Sequence, residues 1–214
     1  MSLHSHKSTP KKTRAVLVPQ RSNGKLRVAA ILEAASAVIA EKGYEGATMA
    51  EIAARSGTKI GSLYRFFPNK ESVADTIVVR ARENLDAVFD RFDTAVNALS
   101  IRDLSDNLMA LIFELFTRPA FMKLLDGGKN WSVKREEFRK GLLQRIAKTL
   151  IIHTPSLPKK SAGDIALVVL LNAKAVVNHQ TFFDSASNVA HEFRDMTRLY
   201  LKSRLRAECE RSAG

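Results

Sequence analysis

The stretch Gly57-Thr58-Lys59-Ile60-Gly61-Ser62-Leu63-Tyr64-Arg65-Phe66-Phe67-Pro68-Asn69-Lys70-Glu71 decides how this chain is read. Ser56-Gly57 closes one short helix, and residues 59 to 66 form the next. Pro68 ends that second helix, because a proline disfavours helical geometry at the residue before it, here Phe67. Asn69 then caps a further helix. Leu63, Phe66 and Phe67 supply an inward side that holds the short helix in place. Gly61, with no side chain, allows another molecule to approach its outer side closely.

Helical signals continue in both directions. Upstream, Thr48 with Glu51 three residues on is a capping box, and Met49, Ile52 and Ala53 form the buried side of the helix it opens. Before it, Val28, Ile31, Leu32, Ala35, Val38 and Ile39 recur at three- and four-residue spacing, and Gly43 stands where a C-terminal glycine ends a helix. Downstream, the helix capped by Asn69 runs through Val73, Ile77, Arg80, Asn84 and Val88. Beyond residue 100 the periodicity predicts helices at about 102–117, 119–126, 131–152, 161–183 and 187–208. Arg118-Pro119, Gly127-Gly128, Pro155 to Pro158 and Asp184-Ser185 punctuate them. No stretch alternates with period two and no internal repeat occurs, so the fold class is all-α. Three parts follow: a basic arm over 1–22, a helix-turn-helix unit over 23–83, and a helical remainder over 84–209.

Charge separates these parts. The 214 residues carry a net +12, yet residues 1 to 70 hold twelve Lys or Arg against four acids, and the first acid is Glu33. A basic end on a near-neutral remainder points to an anionic partner bound at that end. The single cysteine, Cys209, excludes an intramolecular disulfide and fits a reducing cytoplasm. The longest apolar run, Ile165 to Val177, is interrupted by Asn172 and Lys174 and is too short to cross a bilayer. The five histidines are scattered, and neither zinc-ligand spacing, a phosphate-cradling loop nor a nucleophile elbow occurs. The expectation is therefore no metal, no cofactor and no enzymatic activity.

A short helix, a tight turn and a second short helix form a helix-turn-helix pattern, in which the N-terminal residues of the second helix reach base edges. Ser62 suits a base edge or a phosphate, and Tyr64 and Arg65 suit phosphates. Lys59 and Lys70 each stand at a helix start, where the macrodipole disfavours a cation by about 0.3–1 kcal/mol. A phosphate would neutralise both.

These residues carry a family resemblance. Lys42-Gly43-Tyr44, Ala47-Thr48-Met49 with Ile52-Ala53, Gly57, Gly61-Ser62-Leu63-Tyr64 and Phe67-Pro68-Asn69-Lys70-Glu71 resemble the DNA-binding domain of TetR-family (tetracycline-repressor-like) transcriptional regulators. The likeness covers Arg27 to about Val79. It implies a ligand-responsive repressor acting as a homodimer on a palindromic double-stranded DNA operator. It assigns phosphate contacts to Thr48, Tyr64 and Lys70, and a groove-facing surface to Lys59, Ile60, Gly61, Ser62 and Arg65. Thr58-Lys59 departs from the family pattern, and Thr58 is expected to cap the reading helix.

The resemblance also gives the second half its roles. The helices near 161–183 and 187–208 look like dimerisation elements, the latter through the stripe Val189, Phe193, Met196 and Tyr200. Phe113, Phe116, Phe121, Met122, Trp131 and Phe138 mark the region of a pocket for an apolar or amphipathic effector, although core packing is the simpler reading of each residue alone. Asn172, Asn178, His179 and Gln180 either line that cavity or bond across the dimer interface. Two rivals stand beside this reading. A small helical enzyme with an incidental basic end would need a tuned polar cluster that the sequence does not offer. A nucleoid-type protein binding DNA without sequence preference would not need the large near-neutral half.

Overall fold

The computed structural model describes residues 22–116, 118–125, 132–179 and 187–213, so the basic arm lies outside the described residues. Among the described residues the regular structure is helical throughout: α1 (Ser22–Gly46), α2 (Met49–Arg55), α3 (Ile60–Phe66), α4 (Lys70–Asp93), α5 (Ile101–Phe116), α6 (Pro119–Leu125), α7 (Ser132–His153), α8 (Lys159–His179) and α9 (Ser187–Ala213). One 3-10 turn, Val96–Ala98, follows α4. Among these helices none is long and apolar enough to cross a membrane. The all-α expectation holds, and most helix ends fall within two residues of their sequence signals. Gly43 breaks α1 through a positive φ of 75°, with one more turn continuing to Gly46.

The apolar periodicity sorts into two buried clusters. The first joins α1, α2 and α3 through Ile31, Ile39, Ile52, Leu63, Phe66 and Phe67. The second lies among α5, α7, α8 and α9, around Leu108, Ile112, Ile146, Leu150, Val169 and Leu201. Each such side chain contributes about 1.5–3 kcal/mol on full burial, so the two cores supply most of the driving force.

Two helices belong to both cores. Val73 and Ala74 of α4 lie in the first cluster, and Leu85 and Phe89 in the second. Likewise Leu124 of α6 packs into the first and Phe121 into the second. The boundary expected near residue 83 thus falls inside a continuous helix, which makes α4 a rod from one core to the other. Asn69 starts that rod: its Oδ1 accepts from the Ser72 N–H at 2.8 Å while Ser72 Oγ accepts from the Asn69 N–H at 3.4 Å.

At its far end Asp93 is nearly buried. It is satisfied by the Thr149 hydroxyl at 2.6 Å, the Arg145 guanidinium at 3.2 Å and the Lys148 ammonium at 3.5 Å. A carboxylate taken out of water needs such partners.

Candidate nucleic-acid interface

Local chain chemistry builds the turn. The Ser56 N–H donates to Ile52 O at 3.0 Å, and the Thr58 N–H reaches back five residues to Ala53 O at 3.0 Å. That closure requires Gly57 in the left-handed region, and its φ is 63°. A β-carbon at 57 would meet nothing within 4 Å, so the requirement is one of backbone conformation, not space. The closure also corrects the expectation for Thr58. Its N–H terminates α2, and the cap position of α3 falls one residue later, on Lys59, with no side-chain cap. Lys59 O accepts from the N–H groups of Ser62 at 2.8 Å and Leu63 at 3.1 Å.

α2 is held against α1 by charge. Thr48 Oγ1 accepts from the Glu51 N–H at 3.2 Å and donates to the Glu51 carboxylate at 2.9 Å. The other oxygen of Glu51 pairs with the Lys42 ammonium. Arg55 pairs with Glu41 at 2.6 Å. The Lys42 hydrogen bond, followed by that from Thr48, holds the Glu51 carboxyl below the usual carboxylate range, and Arg55 does the same for Glu41.

A depressed folded-state pKa stabilises the fold above the ordinary carboxylate pKa and loses that contribution as pH falls through the lower, folded value. The stability difference between the protein and Glu51→Gln is therefore expected to close below about pH 4. Melting temperatures over an acid series test this. A difference that persists at the lowest pH would mean that shape, not charge, joins α1 to α2.

α3 divides into an exposed and a buried side. Ile60 and Tyr64 are 45% and 46% exposed, large values for apolar and aromatic side chains. Lys59, Gly61 and Arg65 are exposed beside them and Ser62 is half-buried. Leu63, Phe66 and Phe67 are fully inside, and the Arg65 guanidinium lies 5.6 Å from the Phe66 ring centroid. A β-carbon at Gly61 would meet nothing within 4 Å, so the bare outer face of α3 there is not imposed by packing.

Thr48 and Lys70 have internal partners, and those of Lys70 the sequence did not disclose. The Thr48 hydroxyl proton is engaged by Glu51. The Lys70 ammonium donates to Tyr44 O at 2.8 Å and Glu45 O at 3.1 Å, and lies 4.6 Å from the Tyr44 ring centroid. Lys70 therefore caps the carbonyl end of α1, which offsets its unfavourable place at the start of α4. It does not extend freely into water. Its partners lie 25 and 26 residues away, beyond the reach of local pattern.

In the second half, the residues expected to mark one pocket separate. Phe116, Phe121 and Phe138 are core, with Phe121 and Phe138 edge to face at 4.7 Å between centroids. Met122 packs half-buried against them. The Asn172 amide donates to Thr197 Oγ1 at 3.2 Å, joining α8 to α9 within one chain. Trp131 lies outside the described residues, as does Gln180, and the side chains of Asn178 and His179 are also outside the description.

Phe113 does line a cleft, of about 370 Å³, between α5, α8 and α9. Met109, Ala110, Ala173 and Val176 make its apolar wall, and Asp106, Arg194 and Arg198 its polar side. Arg198 grips Asp106 through two hydrogen bonds of 2.7 and 2.8 Å, which raise its pKa further. Sequence reasoning missed these three residues, because Asp106 and Arg198 are 92 positions apart and meet only in the fold.

Residues 31–77 match the family model of bacterial regulatory proteins, tetR family. The fatty acid metabolism regulator protein of Bacillus subtilis (strain 168) is 26% identical over 152 residues, covering 58% of this chain and 77% of its own length. Among solved structures, a transcriptional regulator of the TerR/AcrR family from Aquifex aeolicus VF5 is similar in fold, with a TM-score of 0.63 and 20% identity, over 81% of this chain and 99% of the other. The regulator FadR from Bacillus subtilis in complex with stearoyl-CoA is similar too, with a TM-score of 0.56 and 18% identity, over 79% of this chain and 96% of the other. Residues 31–77 therefore carry the N-terminal segment shared by bacterial regulatory proteins of the tetR family, and the similarity of fold to solved regulators extends into the helices that follow.

Proposed function

We propose that this chain is a sequence-specific repressor without enzymatic activity, acting in the cytoplasm as a homodimer on a partly palindromic DNA operator and released by a small amphipathic effector. The observation that carries this reading is the outer face of α3, where Lys59, Ile60, Gly61, Tyr64 and Arg65 are exposed together over a fully buried anchor of Leu63 and Phe66. A rigid anchor under an exposed reading face is what major-groove insertion needs. Ser62 completes that face. Thr48 and Lys70 flank it from neighbouring helix starts, Lys70 with a third ammonium proton left for a phosphate oxygen. The arm over 1–22 adds nonspecific affinity through its positive charge.

Dimerisation is assigned to α8 and α9. Leu167 and Leu171 on α8, with Met196 and Leu199 on α9, are exposed, Leu199 by 69%. Large apolar groups exposed on two helices that pack together suit a protein partner, and a second copy satisfies the two-fold symmetry of a palindrome. Of the stripe read from sequence, Met196 belongs to this face, while Phe193 and Tyr200 also pack against their own core. The half-sites then lie one helical turn or a multiple apart, about 34–36 Å per turn.

The effector site is assigned to the cleft beside Phe113, extended toward Asn172 and the end of α8. An apolar wall facing Arg194, beside the Arg198–Asp106 pair, suits an acyl chain bearing an anionic head. The FadR relative solved with stearoyl-CoA supports that chemical class. Binding there moves α4 and changes the spacing of the two reading helices.

Selection of bound fragments from a random DNA library at near-physiological salt tests the reading. Recovery of an inverted repeat is expected; recovery of unrelated DNA that salt removes would favour the nucleoid-type alternative. On the recovered duplex, Lys59→Ala is expected to weaken matched and random DNA alike and to lower the slope of log affinity against log salt by about 1. An unchanged slope would place Lys59 away from the phosphates.

A further inference from the structure

The two ends of α4 are gripped by one other helix. On α4, Glu71 and Asp75 face Lys134, while Asp86, Asp90 and Asp93 face Arg145, with Lys148 also on the last two. The separation is constant at 59 positions for Asp75 with Lys134, for Asp86 with Arg145, and for Arg82, whose guanidinium lies across Gly141. Constant separation in the same sense means that α4 and α7 run parallel in one fixed register. Ion pairs at both ends oppose sliding of one helix along the other.

The pair at the near end has a particular position. Lys134 is in the first turn of α7, 31% exposed, and bridges two carboxylates in the first two turns of α4. Lys70, immediately before Glu71, holds the carbonyl end of α1. One route of direct contacts therefore runs from α7 through Lys134 to the start of α4, and through Lys70 to α1 of the reading unit.

We infer that Lys134 is a positioning residue for DNA reading: it fixes the first turns of α4 to α7 and thereby sets where α3 stands relative to its partner across the operator. This rests on the repressor reading above. Lys134 touches no DNA. Its loss leaves each reading helix intact and disturbs only the geometry of the two together. Binding to a single half-site should then survive, while binding to the whole site should not.

The test uses full-length Lys134→Glu, the double variant Lys134→Glu/Asp75→Lys, and three duplexes: the inverted repeat recovered by selection, a single half-site, and random sequence. An exposed pair is weak, but reversal sets a carboxylate against two others in both protomers. A loss of about five- to tenfold is expected on the inverted repeat, with the half-site and random duplexes within about twofold of wild type. The double variant is expected to recover most of the loss, because the opposite charges face each other again.

Melting temperature is measured in parallel. Equal losses on all three duplexes, or a loss that tracks a lowered melting temperature, would reduce Lys134 to a structural pair and overturn the inference. Unchanged affinity for the inverted repeat would overturn it too. Wild-type protein that does not distinguish the three duplexes would overturn the repressor reading, and the inference with it.

Discussion

Gly61→Leu is expected to reduce operator affinity by more than about a hundredfold while the folded dimer persists. Three observations set this expectation. Gly61 is exposed in the first turn of α3, and a β-carbon there would meet nothing within 4 Å, so the chain itself has room for the new side chain. Leucine is also the better helix former, by up to about 1 kcal/mol, so the fold is expected to melt no earlier. The cost therefore falls on the complex: an isobutyl group is inserted where helix backbone would lie against base edges, in a groove about 12 Å wide that the helix already fills. Fluorescence anisotropy on the selected duplex and on a single half-site measures the loss, and it should appear on both. Retained operator affinity would show that Gly61 does not face the groove. A lowered melting temperature would make its role structural.

Leu171→Glu is expected to convert the dimer to a monomer and to remove binding to the inverted repeat while leaving half-site binding near its original level. Leu171 is 55% exposed on α8, opposite the side through which Ala166, Val169, Leu170 and Ala173 enter the core. The monomer should therefore accept a carboxylate there with little change. In a two-fold interface the substitution occurs twice. Each leucine contributes about 1.5–3 kcal/mol when buried, and an unpaired carboxylate in its place adds a desolvation cost. Loss of the dimer also removes the effective concentration that couples two half-sites, a factor of about 10²–10⁴. Sedimentation velocity with parallel DNA titration reads both quantities. A dimer that survives Leu171→Glu would exclude this face as the interface, and a wild-type monomer would exclude two-fold reading altogether.

These two experiments separate the two halves of the proposal. Gly61→Leu acts on each reader, so it affects half-site and whole site alike. Leu171→Glu acts on the pairing of readers, so it spares the half-site. Lys134→Glu does so too, but with the dimer intact. A protein with no sequence preference would show none of these differences, which makes the set informative even before an effector is known.

The sequence by itself determined the elements that depend on near neighbours. The Thr48 and Asn69 caps, the break at Gly43, the left-handed Gly57 and the stop at Pro68 are set within a few residues, and each is where local chemistry places it. The inward anchor of Leu63, Phe66 and Phe67 was legible for the same reason, because helical periodicity fixes which side faces in. At one residue the local reading failed: the cap position of α3 falls on Lys59 and not on Thr58, whose N–H bonds back to Ala53 O of α2.

What the tertiary structure decided lies in contacts between positions far apart. Lys70 meets the carbonyls of α1, Arg198 meets Asp106, and Lys134 meets Glu71 and Asp75, at separations that no periodicity encodes. The aromatic residues Phe116, Phe121 and Phe138 were equally undecided in sequence, since an aromatic side chain on an inward face suits a core and a cavity alike. In the fold all three are buried in the core, and Phe113 lines a cleft beside Arg194 and Arg198 of α9.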